Sequence, residues 1–168
     1  MSTARSSAVS ADRFPVSVIT VCEPVTDNPW ISERWRVLGV VAGDGARRPD
    51  APRHTLIRAD AGARQYLWSG FEIRLFQAEA DSYYFNLVGE NPIVLVVCQA
   101  SEDRGLTPTL VTADYIDALA HREAGADVHA VPIPPEIYVW LEQYVLEHYR
   151  PEEDKPKRKH ADWTKEAG

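Results

Sequence analysis

The sequence predicts an α+β protein in which an antiparallel β-meander sheet of about five to seven strands, open or closed into a barrel-like form, precedes two C-terminal helices. Short apolar segments follow one another through the first two thirds of the chain, with brief turns between them. Such connections favour antiparallel strands, because parallel strands need long crossovers. In the last third, apolar residues recur at helical spacing between capping residues, so we expect the helices there. The length of 168 residues suits one domain. We expect it over residues 13–150, between a disordered N-terminus (1–12) and a charged flexible tail (151–168).

Two β-like segments open the expected domain. Residues 14–22 are rich in β-branched side chains, and Pro15 is tolerated there because it lies at the beginning of the strand. Residues 34–41 alternate between two faces, and Gly39 within them predicts a bulge or a close backbone approach. Residues 43–53 are rich in Gly, Pro and charge, which predicts an exposed loop.

The following segments predict a four-stranded meander and one further strand. Its strands are expected over residues 64–68, 71–77, 82–88 and 93–98, with turns at 69–70, 78–81 and 89–92. The last of these strands is apolar at every position, so we expect it to lie centrally with Val96 and Val97 buried. Residues 106–111 predict one more strand.

Capping residues mark two helices in the last third. Thr112 can cap a helix over residues 113–124, and Gly125 is placed to end it. The second helix is expected from Pro135 to about Tyr149, because proline is favoured in the first helical turn.

The second helix has one broad apolar face. At 100° per residue, that face comprises Ile137, Trp140, Leu141, Tyr144, Val145 and His148. Val139 and Leu146 lie on the opposite, polar side. They are either scattered exposed aliphatics, which are common, or part of a second contact surface.

Charge and hydropathy exclude several classes of protein. The formal net charge of -7 argues against a general nucleic-acid binder. All four lysines lie in the tail, but its acidic run at 152–154 argues against nucleic-acid binding there too. No apolar run approaches the ~20 residues that span a bilayer, and residues 1–13 lack the apolar segment of a secretory signal. We therefore expect a cytoplasmic protein without membrane contact.

The sequence carries no recognisable signature of catalysis. The sequence contains no HEXXH, no G-x-S-x-G and no phosphate-binding loop, so we expect no catalytic residue, metal ligand or cofactor. Cys22 and Cys98 each end a β-like segment, which favours buried thiols; a disulfide or a shared metal site is the alternative.

Tryptophan, arginine and the tail indicate where a protein partner could bind. Trp30 and Trp35 flank Arg34 in a turn and strand start, and this composition is enriched at interface hot spots; the alternative is that both indoles cap the core. The complete set of candidate partner-binding residues is Trp30, Arg34, Trp35, Val139, Leu146, Lys157, Arg158, Lys159 and Trp163.

Several segments resemble a bacterial family of small proteins of uncharacterised function. They are F-P-V-S-V at 14–18, N-P-W…E-R-W at 28–35, L-G-V-V at 38–41, Y-Y-F-N-L at 83–87 and V-P-I-P-P-E…L…Y-V-L-E-H-Y-R-P at 131–151. Members are typically encoded beside molybdenum-dependent formate dehydrogenases, their chaperones and iron–sulfur proteins. The resemblance implies a non-catalytic accessory factor whose partner is a dehydrogenase subunit or a maturation factor. The alternative is a small enzyme or ligand-binding module with a site on the sheet around Trp35, Tyr84 and Asn86.

Overall fold

A computed structural model describes residues 8–43, 54–101 and 105–151. These residues form seven strands and three α-helices, with a single 3-10 turn at Gln77–Glu79. In chain order the elements are β1 (Arg13–Pro24), β2 (Glu33–Ala42), β3 (His54–Asp60), β4 (Ala63–Arg74), α1 (Ala80–Val88), β5 (Ile93–Ser101), β6 (Gly105–Thr112), α2 (Tyr115–Glu123), β7 (Asp127–Pro132) and α3 (Pro135–His148).

The first four strands form one antiparallel sheet in the order β2-β1-β4-β3. Two bulges bend it. On β2, Gly39 pairs with Ile19 while the next β1 residue pairs with Val37, which confirms the predicted bulge. On β4, the pair Ser69–Gly70 lies opposite one β1 residue, with Gly70 at a φ of 87° that glycine adopts without strain. The strand therefore continues through the position where the sequence predicted a tight turn.

The remaining strands form a second antiparallel sheet in the order β6-β5-β7. Strand β5 is central, and Val96 and Val97 are 0% and 1% exposed, as the unbroken apolar sequence of residues 93–98 predicted. Helix α2 packs on this sheet and α1 packs on α3. Strands β2 and β4 meet the second sheet at β6 and β7, so both sheets share one hydrophobic core.

The α+β class, the antiparallel pairing, the strand number and the two C-terminal helices are confirmed. Four details of the prediction are wrong. Helix α2 is capped by Asp114 and not by Thr112. Residues 82–88 belong to helix α1, residues 64–77 contain one long strand, and the described strands form two open sheets instead of one meander or barrel. Strands β3 and β7 were not predicted from the sequence. Most of the predicted disordered N-terminus and charged tail lies outside the described residues.

Candidate interaction surfaces

The connection between β1 and β2 presents an exposed tryptophan. The Trp30 side chain is 92% exposed. Its backbone N–H donates to Asn28 Oδ1 at 2.9 Å, and the Ile31 N–H donates to the Asn28 carbonyl at 3.4 Å. Val25 N–H donates to the Ser32 carbonyl at 3.0 Å across the base of the connection. These hydrogen bonds define the backbone that carries the indole, although the indole itself lies outside the core.

Charged side chains surround the base of this connection. Arg36 pairs with Glu23 and Arg64 pairs with Glu33, each at 3.0 Å. Both pairs are half-exposed, so each contributes only ~0–1 kcal/mol to stability. Arg34 is exposed and lies opposite Glu23 in the β1–β2 register. Protein interfaces commonly have an aromatic residue at the centre and a polar, charged rim around it. Trp30 and these charged side chains have that composition.

Trp35 differs from Trp30 in its surroundings. Its half-buried ring stacks on Tyr66 with a centroid distance of 5.7 Å. It also lies against Gly105 at the start of β6, so close that a Cβ on that glycine would be 2.2 Å from Trp35 Cε2. The ring thus packs between the two sheets. Trp30 and Trp35 were predicted together as candidate interface residues. In the structure Trp30 is exposed, whereas Trp35 mainly packs within the fold.

A cleft opens beside Trp35 at the junction of the two sheets. It encloses about 530 Å³. Besides Trp35, its polar lining consists of Arg122, Asp127 and His129. This mixture of a flat aromatic ring with a cation, a carboxylate and an imidazole could bind a small polar ligand.

The other two residues of the predicted ligand site have structural partners. Tyr84 stacks on Tyr149 with a centroid distance of 4.0 Å. The Asn86 side chain donates to the Ile93 carbonyl at 2.8 Å and accepts from the Ile93 N–H at 3.0 Å. Both residues lie on α1 and not on a strand, so they do not form a shared sheet surface with Trp35.

Helix α3 presents two aliphatic side chains away from the core. Val139 and Leu146 are 64% and 74% exposed, which confirms their predicted orientation. On the opposite face, Ile137 and Leu141 are fully buried. Trp140 lies between these faces, and its Nε1–H donates to the Ser10 carbonyl at 2.7 Å.

Val139 also borders an apolar cleft. The cleft lies between the beginning of α3 and the beginning of β5, and its lining includes Pro92, Ile93, Pro132, Ile133, Pro135 and Tyr138. Val139 is therefore not an isolated aliphatic but the edge of a larger apolar surface. The remaining candidates from the sequence, Lys157, Arg158, Lys159 and Trp163, lie outside the described residues.

The two thiols are buried and free, as expected. Burial raises the pKa of Cys98 to about 12. Burial also raises the pKa of Cys22, although an N–H of Arg64 faces its sulfur at 3.5 Å and opposes that shift. Both thiols are protonated at neutral pH, which does not suit a nucleophile. Among the residues that the structure describes, no group of three His, Cys, Asp or Glu side chains could hold a metal ion.

Sequence reasoning missed a groove between α1 and α2. Three exposed side chains form its walls: Phe85 from α1, and Tyr115 and Ile116 from α2. The groove was missed because residues 82–88 were interpreted as a strand. The i, i+4 pair of buried residues Tyr83 and Leu87 was the available signal for a helix.

The chain belongs to the family described as "Protein of unknown function (DUF3305)", whose sequence model matches residues 15–159. This agrees with the resemblance to an uncharacterised family of small proteins. No curated protein and no solved structure matches the chain. Within the described ranges, no helix has the length and apolar character needed to cross a bilayer.

Proposed function

We propose that this protein is a non-catalytic, cytoplasmic accessory factor that supports the assembly or operation of a molybdenum-dependent formate dehydrogenase. Its partner would be a dehydrogenase subunit or a maturation factor. The link to this enzyme comes from the genes that typically neighbour the resembled family. The structural support for a binding role comes from the exposed surfaces.

The single observation that carries the binding role is the exposure of Trp30. An indole that is 92% exposed contributes little to the hydrophobic core. Tryptophan provides a large apolar contact area, which makes it a frequent hot spot in interfaces. The hydrogen bonds of Asn28 and Val25 hold the backbone of the turn, so little conformational entropy is lost there on binding.

Helix α3 supplies a second contact region. Val139 and Leu146 are seven residues apart, which places them about 10 Å apart along the helix. Two aliphatic side chains are too few for a stable interface, which commonly buries ~800 Å² on each partner. The cleft that Val139 borders extends this apolar surface toward Pro132 and Ile133.

Purification from the native host tests this function. The full-length protein carries an affinity tag, and an untagged strain serves as the control for non-specific retention. We expect formate dehydrogenase subunits or their maturation factors to be enriched in the tagged sample by quantitative mass spectrometry. Recovery of neither group from cells that synthesise the enzyme would contradict the proposal.

The cleft beside Trp35 favours a second candidate, a small ligand-binding module. A thermal-shift screen of nucleotides, pterins and formate tests it, because a ligand at 100 times its Kd adds about 2.7 kcal/mol of stability. Arg122→Ala should abolish a true shift, since Arg122 lines the cleft. A shift that this substitution leaves unchanged would place the ligand elsewhere.

A further inference from the structure

The groove between α1 and α2 combines an apolar floor with exposed walls. Ile93, Leu95 and Ala113 form the floor. Phe85 and Ile116 stand on opposite sides and are 66% and 65% exposed. The groove encloses about 610 Å³, which lies within the roughly 300–1,000 Å³ of typical ligand pockets.

A hydrogen bond sets the distance between the two helices. Ser82 Oγ on α1 donates to Asp114 Oδ1 at 2.8 Å, and the same carboxylate accepts from the Ile116 N–H at 3.0 Å as the cap of α2. Asp114 is only 7% exposed. The groove is therefore fixed by the fold and does not have to open for a ligand.

The rim of the groove is acidic. Glu79 and Asp81 line it, and the described lining contains no Lys or Arg. Partial burial raises the pKa of Glu79, and the nearby carboxylates of Asp114 and Asp117 raise it further. Asp117 has His121 as a neighbour at 3.6 Å. A suitable occupant therefore carries cations next to an apolar side chain.

Tyr149, two residues before the last described residue, is connected through one aromatic ring to a wall of this groove. Tyr149 follows α3 and stacks on Tyr84 at a centroid distance of 4.0 Å, and the Tyr84 ring lies 5.5 Å from that of Phe85, a wall of the groove. Seventeen further residues, 152–168, follow Pro151. An extended chain covers about 3.3 Å per residue, so twelve residues can span about 40 Å. Trp163, the twelfth residue after Pro151, is therefore within reach.

Residues 155–163 of the C-terminal tail have the composition that the groove requires, within a tail (151–168) whose five basic and five acidic side chains balance. Four cations lie within five residues, at Lys155, Lys157, Arg158 and Lys159, and Trp163 follows. All four lysines of the protein lie in this tail, whereas the rest of the chain is strongly acidic. We propose that the groove between α1 and α2 is the docking site of the protein's own C-terminal tail, with the cations at Glu79 and Asp81 and Trp163 between Phe85 and Ile116.

Photocrosslinking of the purified full-length protein tests this docking without any partner. The photoreactive residue p-benzoylphenylalanine replaces Ile116 in the groove and, in a matched control, Val139, which is equally exposed on α3. After irradiation of dilute protein, mass spectrometry identifies the crosslinked peptides. We expect an intramolecular crosslink from position 116 to residues 155–165, and none from position 139.

Charge variants establish the cause of the crosslink. Lys155→Glu, Lys157→Glu, Arg158→Glu and Lys159→Glu together should abolish it, whereas Lys155→Arg, Lys157→Arg and Lys159→Arg together should preserve it. Several results would overturn the proposal: no tail crosslink from position 116, equal crosslinks from both positions, crosslinks only between two molecules, or crosslinks that survive charge reversal. The outcome does not depend on the formate dehydrogenase proposal, because no dehydrogenase is present.

Discussion

Strand β5 and the connection between β1 and β2 use large apolar side chains in opposite ways. Every residue from Val94 to Cys98 is at most 3% exposed, whereas Trp30 is 92% exposed and Ile31 is 48% exposed. The β5 residues stabilise the protein by removing apolar surface from water. Trp30 leaves most of its apolar surface in water, where it can contact a partner. Substitutions in these two regions should therefore affect different properties.

The largest effect is expected in β5. Val96→Asp places an unpaired charge at a position with no exposed surface, so the free energy of unfolding should fall by about 4 kcal/mol or more. Gln99→Asp, at an exposed position on the same strand, should cost less than about 1 kcal/mol. Urea unfolding measures both. A soluble Val96→Asp protein with an unchanged midpoint would show that β5 is not the core strand.

A smaller loss is expected where the two sheets meet. Gly105→Ala adds a Cβ at 2.2 Å from the Trp35 ring and forces alanine to a φ of 66°. The left-handed backbone costs ~1–2 kcal/mol and the steric conflict ~1–3 kcal/mol more. Gly125→Ala is the matched control, because its φ is also positive but nothing lies within 4 Å. Equal melting temperatures for the two variants would mean that the Trp35 ring moves aside without cost.

Alkaline pH should weaken the core through Cys98. Its folded-state pKa of about 12 exceeds the ordinary thiol value near 9, so the stabilising contribution is complete below pH 9 and is lost as the pH rises toward 12. The loss should reach about 1 kcal/mol by pH 10. Urea unfolding at pH 8 and pH 10 measures it. Cys98→Ala should show a shallower decline over this range, and an identical decline would rule out this thiol as a cause.

Substitutions on the outer face of α3 should change stability little, as is expected for Trp30 in the connection between β1 and β2. Val139→Ser combined with Leu146→Ser should change stability by no more than ~0.5 kcal/mol, because both side chains are already mostly in water. It should nevertheless weaken the complex with the proposed partner. Ile137→Ser combined with Leu141→Ser, at fully buried positions of the same helix, should unfold the protein. Unfolding by the first pair would assign Val139 and Leu146 to the core.

The sequence predicted elements well where one signal dominated. Residues 93–98 of strand β5 are apolar at every position and α3 begins at a proline, and both elements were predicted within a few residues of their bounds. Strand β3 was missed because its residues 55–60 are exposed at a sheet edge and carry no apolar alternation. Gly70 suggested a turn, but a glycine with positive φ equally suits a bulge within a strand.

Helix α1 shows why the groove could not be predicted. Tyr83, Phe85 and Leu87 alternate as in a strand, yet Tyr83 and Leu87 also have helical spacing. The choice between the two depends on tertiary packing, here of α1 against α3. The burial of these residues distinguishes the two structures. Phe85 is 66% exposed whereas Tyr83 and Leu87 are buried, so the three side chains do not share one strand face. A site composed of residues from two helices depends on both helices being assigned correctly.

Trp30 provides the most direct test of the proposed binding role. Tagged protein with Trp30→Ala is compared with wild type and with Leu56→Ala, an exposed aliphatic on β3 that serves as the control. Both variants should keep wild-type stability within ~0.5 kcal/mol. We expect Trp30→Ala to lose the co-purifying dehydrogenase or maturation factors, since a hot-spot side chain contributes about 2 kcal/mol or more, which is roughly 30-fold in Kd. Leu56→Ala should retain them. Full retention of those proteins by Trp30→Ala would contradict the account.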